Sequence, residues 1–269
     1  DLIISIGGGV TGDTVGFVAS IFKRGINFIN IPTTLLAQVD SAIGGKTGVN
    51  STHGKNLIGS FYQPKLVLVD TIFLNSLPKK EMVCGYAEIL KHALIKNKRF
   101  FLYLDKNLNN IVKLKKIFIQ KAILESCKIK KQIVEKDEKE SGLRKSLNLG
   151  HTFGHSYEAT LNYSKKLNHG EAVLYGILSA AKFSTKLNFL NAYDYKLIVS
   201  HLSRLGFVNL NKIFKKKNIN KIISFMISDK KNDDKKINLI TFKKIGSVNI
   251  FNRFNIVKVK KFINSQLIK

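Results

Sequence analysis

Hydrophobic positions follow two different patterns along the chain, and the first of them occupies the first third. Residues 2–6, 26–31 and 66–70 are short apolar runs of the kind that form buried strands. Residues 11–22 follow the first run with apolar side chains at helical spacing. Residues 44–62 are rich in Gly, Asn and Lys and predict a loop or hairpin. This part of the chain therefore predicts an α/β arrangement.

After Pro78 the apolar positions recur at helical spacing. Six helices are predicted, over residues 79–96, 100–115, 117–136, 152–161, 171–187 and 193–205. A weak strand pair is expected near residues 237–241 and 247–251. The lysine-rich segments 212–221 and 230–236 are expected to be exposed. We predict an α/β domain over residues 1–75 and a mainly helical domain over residues 76–269, with no internal repeat.

The charge balance suggests a nucleic-acid partner, but the distribution of the charges argues against one. The chain has 45 Lys and Arg residues against 18 Asp and Glu, a formal net charge of +27. Only five of the basic residues are arginine, the lysines are scattered, and Trp is absent. We therefore interpret the charge as a solvated basic surface that helps to attract an anionic substrate.

Two further observations bear on location. No apolar run reaches the roughly 18 residues that span a membrane, so no membrane partner is expected. Cys84 and Cys127 are too few for a disulfide framework and fit a reducing cytoplasm.

A glycine-rich segment, Gly7 to Asp13, joins the first strand to the first helix. Glycines let the backbone approach a phosphate closely, and the N–H groups at a helix start attract an anion. The order of the glycines departs from the usual dinucleotide fingerprint, and a plain tight turn explains them equally well. Asp13, which we place in the first helical turn, also suits the helix dipole.

A group of histidines predicts a metal site. His151 and His155 are four residues apart and share one helix face, and His169 follows shortly after. Glu88 lies on a helix among apolar residues, where a carboxylate needs a partner. Two imidazoles and one carboxylate leave an open position, as in a catalytic zinc site. Spacing alone does not choose between His155 and His169. His53, His92 and His201 have no such company and are interpreted as structural.

Many ordered polar motifs resemble those of the 3-dehydroquinate synthase family, over essentially the whole chain. They are residues 7–13, 32–41, 44–47, 54–56, 85–91, 142–144, 148–155, 169–171 and 229–231. The resemblance implies a partial Rossmann-like NAD-binding domain followed by a helical metal-binding domain. Family members carry a further N-terminal segment, which we expect this chain to lack, so that binding of the adenosine half of NAD is affected.

The resemblance also implies roles for individual residues. It assigns Zn²⁺, or Co²⁺, to Glu88, His151 and His169, and leaves His155 to the substrate. It assigns NAD contacts to Gly9, Val10, Thr11, Gly12, Asp13, Thr33, Thr34, Lys46, Lys55, Phe73, Leu74, Asn75 and Ser76. It assigns substrate contacts to Asp40, Lys46, Asn56, Lys91, Lys130, Arg144, Asn148, His155 and either Lys230 or, as we favour, Lys231. A homodimer is implied, with Arg24 reaching the neighbouring subunit's site.

The implied reaction is the second step of the shikimate route to aromatic amino acids. It converts 3-deoxy-D-arabino-heptulosonate 7-phosphate to 3-dehydroquinate and phosphate, through transient oxidation by NAD, phosphate elimination, re-reduction and an intramolecular aldol closure. The alternatives are another sugar-phosphate cyclase, or a metal-dependent polyol or glycerol-phosphate dehydrogenase on the same scaffold. A charge-driven nucleic-acid-binding protein and an inactive fragment are further alternatives.

Overall fold

The first part of the chain forms a small parallel sheet, a helix and a hairpin. The computed structural model describes residues 1–52, 54–228 and 236–267. The elements are β1 (Ile3–Gly7), α1 (Gly9–Ile21), β2 (Phe28–Pro32), β3 (Lys46–Ser51), β4 (Gly54–Phe61) and β5 (Leu66–Val67). Strands β1, β2 and β5 are parallel, with β2 in the middle, and β3 pairs with β4 in the predicted hairpin. The predicted α/β arrangement is confirmed.

The rest of the chain is mainly helical. Its elements are α2 (Lys79–Lys96), α3 (Lys98–Val112), α4 (Lys116–Lys136), α5 (His151–Thr160), α6 (His169–Lys186), α7 (Ala192–Arg204), α8 (Ile219–Ser228), β6 (Lys236–Asn238), β7 (Thr241–Lys244), β8 (Ser247–Asn249), β9 (Arg253–Asn255) and α9 (Ile256–Gln266). All six predicted helices are present, each within three residues of its predicted bounds. None of the helices that the structure describes combines the length and apolar character needed to cross a bilayer.

Two helices were missed, and the strand pairing is more complex than predicted. Helix α8 buries Ile222 and Met226, but lysines before it hid this apolar stripe in the sequence. Helix α9 was hidden in the same way. The segment 237–241 is divided between two ladders, since β6 pairs with β9 and β7 pairs with β8. Most of the segment 230–236 lies outside the described residues.

The chain forms two compact units. One consists of Asp1–His92 and Leu102–Arg144, and the other of Ala93–Phe101 and Lys145–Lys269. The chain therefore passes between the units three times, and α4 belongs to the same unit as the parallel sheet. The predicted domain boundary after residue 75 differs from this division into compact units, and it stays a prediction.

Helix α6 is the central helix of the second unit and is buried along almost its whole length. It packs against α5 and α7, and α5 also packs against α8. An added Cβ on Gly176 of α6 would lie 2.0 Å from the carbonyl oxygen of Gly150, and one on Gly154 would lie 3.0 Å from that of Ala172. Because only glycine permits this approach, the helices meet backbone to backbone.

We predict that Gly176→Ala lowers the free energy of unfolding by about 2–3 kcal/mol, because the new methyl group forces α5 and α6 apart. Urea denaturation, monitored by circular dichroism, measures the loss of unfolding free energy.

The control is Gly142→Ala, where an added Cβ meets only the Asp137 Oδ2 atom at 3.9 Å. It should change stability by less than about 0.5 kcal/mol. Equal midpoints for the wild type and Gly176→Ala would show that the helices tolerate a wider separation.

Candidate active site

Most of the residues predicted to contact NAD follow the carboxyl ends of the three parallel strands, while Lys46 and Lys55 lie in the β3–β4 hairpin. Gly9 to Asp13 come after β1, and Thr33 and Thr34 come after β2. Phe73 to Ser76 lie in a 3₁₀ turn, Thr71–Ser76, after β5. The Thr33 N–H donates to the Gly7 carbonyl over 2.9 Å, which ties the first two loops together. Ligands of open α/β sheets bind at this edge, so the topology supports a cofactor site here.

Helix α1 begins earlier than predicted, and this changes the interpretation of Asp13. The helix starts at Gly9 rather than at residue 11, so its first turn contains no acidic residue. The helix-dipole explanation of Asp13 is therefore wrong. Burial, followed by the nearby Asp40 carboxylate, raises the pKa of Asp13 to about 6.

A partly buried ion pair joins two residues predicted to contact substrate. Asp40 lies in a π-helical turn, Ala37–Ser41, and its Oδ1 atom accepts a hydrogen bond from Lys130 Nζ on α4 over 2.7 Å. Burial alone would raise the pKa of Asp40, but the Lys130 and Lys91 ammonium groups hold it well below its usual range. Asp40 is therefore a carboxylate at neutral pH, ready to accept hydrogen bonds.

His92 lies against this pair, a position that the sequence analysis did not predict. Its ring is fully buried, with Nδ1 2.8 Å from Ser126 Oγ and Nε2 3.8 Å from Asp40 Oδ1. Burial, followed by the Lys91 charge, lowers the pKa of His92 well below its usual value, so the ring is neutral. The available signal was its position four residues after Glu88, on the same helix face.

Glu88 and Lys91 form an ion pair three residues apart on α2. Their side chains are 0% and 2% exposed. Two charges buried to this degree are stable only when they are paired, so these residues hold each other in a defined position. Both are in the first unit, with Asp40 and Lys130.

Arg144 is buried and oriented by backbone groups. Its guanidinium donates to the carbonyls of Gly44, over 3.0 Å, and of Glu138. Asp137, not predicted, accepts the backbone N–H groups of Arg144 and Gly142, and these bonds lower its pKa to about 2. Lys46, by contrast, is exposed and pairs with Glu140.

Three histidine rings cluster in the second unit. The ring centroid of His151 is 5.1 Å from that of His155 and 5.5 Å from that of His169. His151 Nδ1 lies 3.3 Å from the Leu149 carbonyl, and His169 Nδ1 lies 3.1 Å from Glu158 Oε2. The rings of His151 and His169 thus have Nδ1 engaged in a hydrogen bond, which leaves Nε2 as the nitrogen that can bind a metal. The donor set fits a divalent metal such as Zn²⁺.

A pocket of about 350 Å³ opens beside these rings. The predicted residues Asn148, His151 and His155 line it, and its further lining residues, which were not predicted, are Lys145, Thr152, Asn238, Ile240, Ile250, Phe251 and Arg253. Lys145 Nζ lies over the Phe251 ring, 6.0 Å from its centroid. The two added cations, Lys145 and Arg253, suit an anionic ligand, but they lie far apart in the chain, so the sequence did not group them.

The remaining predicted site residues lie in the hairpin, in an exposed turn or outside the described part of the chain. Lys55 and Asn56 belong to β4, and Arg24 is exposed in a 3₁₀ turn, Phe22–Arg24. His53, Lys230 and Lys231 lie outside the described residues.

Comparison with known proteins gives the same family across the whole chain. The model of the 3-dehydroquinate synthase N-terminal domain matches residues 1–84, and that of the C-terminal domain matches residues 85–232. The chain belongs to the 3-dehydroquinate synthase family. A 3-dehydroquinate synthase of Pelagibacter ubique is 60% identical over 100% of this chain and 73% of its own length. One from Bradyrhizobium is 42% identical over 99% of this chain and 71% of its own length.

Solved structures of related cyclases agree with the dehydroquinate synthase-like fold. A 2-epi-5-epi-valiolone synthase of Streptomyces hygroscopicus, with NAD⁺ and Zn²⁺ bound, has a TM-score of 0.86 at 25% identity, covering 98% of this chain and 72% of its own. A 2-deoxy-scyllo-inosose synthase, with carbaglucose-6-phosphate, NAD⁺ and Co²⁺, has a TM-score of 0.80 at 30% identity, covering 99% and 74%. A glycerol dehydrogenase of Schizosaccharomyces pombe, at 15% identity and a TM-score of 0.67 over 98% and 68%, shares the fold.

We predict that Asp13→Asn stabilises the protein at pH 8, because it removes a carboxylate whose charge is disfavoured by burial and by Asp40. The gain should be only about 1 kcal/mol, since solvent screens a half-buried group. The folded pKa of about 6 lies above the unfolded value of 3.8, so stability from the bound proton is present below pH 3.8 and is lost as pH rises through 6. The gain should therefore shrink at pH 5, as urea unfolding at the two pH values measures.

Glu135→Gln provides the control, since Glu135 is an exposed acid on α4. It should change stability by less than about 0.5 kcal/mol at either pH. A gain for Asp13→Asn that is equal at pH 5 and pH 8 would contradict the raised pKa.

Proposed function

We propose that the chain catalyses the 3-dehydroquinate synthase reaction as a carbon–oxygen lyase. The substrate is 3-deoxy-D-arabino-heptulosonate 7-phosphate, and the products are 3-dehydroquinate and inorganic phosphate. The 60% identity to the Pelagibacter ubique enzyme over the whole chain carries this proposal. The related cyclases of other specificity are only 25–30% identical.

The proposed metal ligands are Glu88, His151 and His169. Support comes from the low exposure of Glu88 and from the engaged Nδ1 atoms of both histidines. We favour Zn²⁺, and Co²⁺ suits the same donor set. His155 is exposed at the pocket beside Asn148, where it is placed to hydrogen-bond a substrate hydroxyl rather than to hold the ion.

The proposed NAD site is the edge formed by the loops after β1, β2 and β5, with Lys46 and Lys55 from the hairpin. When bound, NAD supplies reversible hydride transfer and the metal supplies a Lewis acid. The backbone N–H groups at the start of α1, at Gly9 to Thr11, are placed to bind an anionic group of the cofactor.

The proposed substrate site is built mainly from cations, because the substrate carries a phosphate and a carboxylate. Lys91, Lys130 and Arg144 are buried and held by fixed partners, so they meet an anion with little reorganisation. The other proposed contacts are Asp40, Lys46, Asn56, Asn148, His155 and Lys231. The ionised Asp40 also holds Lys130 in place. We also propose that the protein is a cytoplasmic homodimer, in which Arg24 lies near the active site of the partner subunit.

We predict that the chain, given substrate and NAD, releases phosphate without net NADH formation, and that a chelator abolishes the release. His169→Ala should lower turnover at least about 100-fold, since it removes a metal ligand. A colorimetric phosphate assay and absorbance at the NADH maximum measure both products.

His201→Gln is the matched control, because His201 is buried against Phe101, with ring centroids 5.6 Å apart, and is not among the proposed site residues. It should keep turnover within about threefold. Net NADH formation without phosphate would instead identify a dehydrogenase, and full activity of His169→Ala after chelation would refute the metal ligands.

A further inference from the structure

A buried carboxylate contacts one of the clustered histidines and has no role in the proposed site. Glu158 lies on α5, three residues after His155, and is 6% exposed. Its Oε2 atom is 3.1 Å from His169 Nδ1. A carboxylate buried to this degree requires a partner with a donor, and the imidazole N–H supplies it.

Two interactions fix His169, one at its backbone and one at its ring. His169 is the first residue of α6, where Asn168 and Glu171 form a capping box. The Asn168 side chain accepts from Glu171 N over 2.9 Å, and Glu171 Oε2 accepts from Asn168 N over 2.9 Å. The cap sets the position of the backbone but leaves the ring free to rotate about its side-chain bonds. Glu158 removes that freedom by engaging Nδ1.

Glu158 has a second possible role, as a metal ligand. Donor atoms of His155, Glu158 and His169 lie within 4.8 Å of one another, so these residues could also hold an ion. The hydrogen-bonding distance between Oε2 and Nδ1 favours a different role, because a carboxylate bonded to Nδ1 leaves Nε2, on the other side of the ring, for the ion. His151 shows the same arrangement, with the Leu149 carbonyl at its Nδ1.

We propose that Glu158 is a positioning residue of the metal site. Its carboxylate accepts the His169 Nδ1–H, which selects the tautomer with a lone pair on Nε2, orients the ring and makes the imidazole a more basic ligand. The inference rests on the proposed assignment of His169 as a metal ligand.

The test measures metal affinity rather than turnover. The apo chain is titrated with Zn²⁺ and with Co²⁺ in competition with a chromophoric chelator, and the visible absorption of the Co²⁺ form reports the ligand set. Glu158→Ala should weaken the affinity for each ion about 10- to 100-fold, while the shape of the Co²⁺ spectrum is unchanged. Glu158→Gln, which keeps a neutral acceptor, should weaken it by a smaller factor of at least about threefold.

Asp194→Asn is the matched control, because Asp194 is another buried carboxylate of the second unit. It accepts from Lys98 Nζ over 2.8 Å and from Ile245 N over 2.9 Å, and it is 1% exposed. Its loss should lower thermal stability but leave the metal affinity within about twofold. If Glu158→Ala does not fold, the near-isosteric Glu158→Gln decides the question.

Two results would overturn the inference while leaving the proposed metal site intact. One is wild-type affinity in Glu158→Gln and in folded Glu158→Ala. The other is loss of the ion from Glu158→Ala with an altered Co²⁺ spectrum in Glu158→Gln, which would make Glu158 itself a ligand. A wild-type chain that binds neither ion, or a His169→Ala variant that binds as the wild type does, would refute the proposed ligands and this inference together.

Discussion

The contact between α5 and α6 is the constraint on which the second unit depends. Glycines at positions 150 and 176 let the two backbones approach at distances that no side chain would allow, and Gly154 lies in a further tight contact between them. The three histidine rings are carried by these same helices, with His151 and His169 as the first residues of α5 and α6 and His155 one turn further along α5. Close packing therefore does more than bury apolar surface, since it also sets the separation of the imidazoles to about 5–6 Å.

Paired charges hold the site groups of the first unit in place, whereas close helix packing holds those of the second. Asp40, Lys91 and Lys130 lie together with Glu88 and the neutral His92, and each ionised group has a partner of opposite charge. Such a cluster contributes little to stability, because desolvation offsets most of the attraction. Its value lies in preorganisation, since buried and paired cations need not rearrange to receive a phosphate or carboxylate. The carboxyl edge of the parallel sheet belongs to the same unit and presents the glycine loop.

Much of the fold was predictable because its signals are local. The apolar runs and the helical spacing located the sheet strands and six helices, and the ordered motifs indicated the family. The helices α8 and α9 escaped because exposed lysines around their apolar stripes made those segments appear solvated. The strand ladders near the end were only partly predicted, because pairing depends on which strands meet in space.

For the site, the sequence by itself determined which chemical groups are present: a glycine loop after a strand, buried cations, and three histidines in a short stretch. It could not choose between His155 and His169, since spacing along the chain says nothing about the tertiary neighbours of each ring. The tertiary structure decided the contacts that spacing cannot encode. It placed Glu158 at His169 Nδ1, the Leu149 carbonyl at His151 Nδ1, and His92 beside Asp40. Hydrogen bonds act over about 3 Å, so they depend on how distant segments pack and not on their order in the chain.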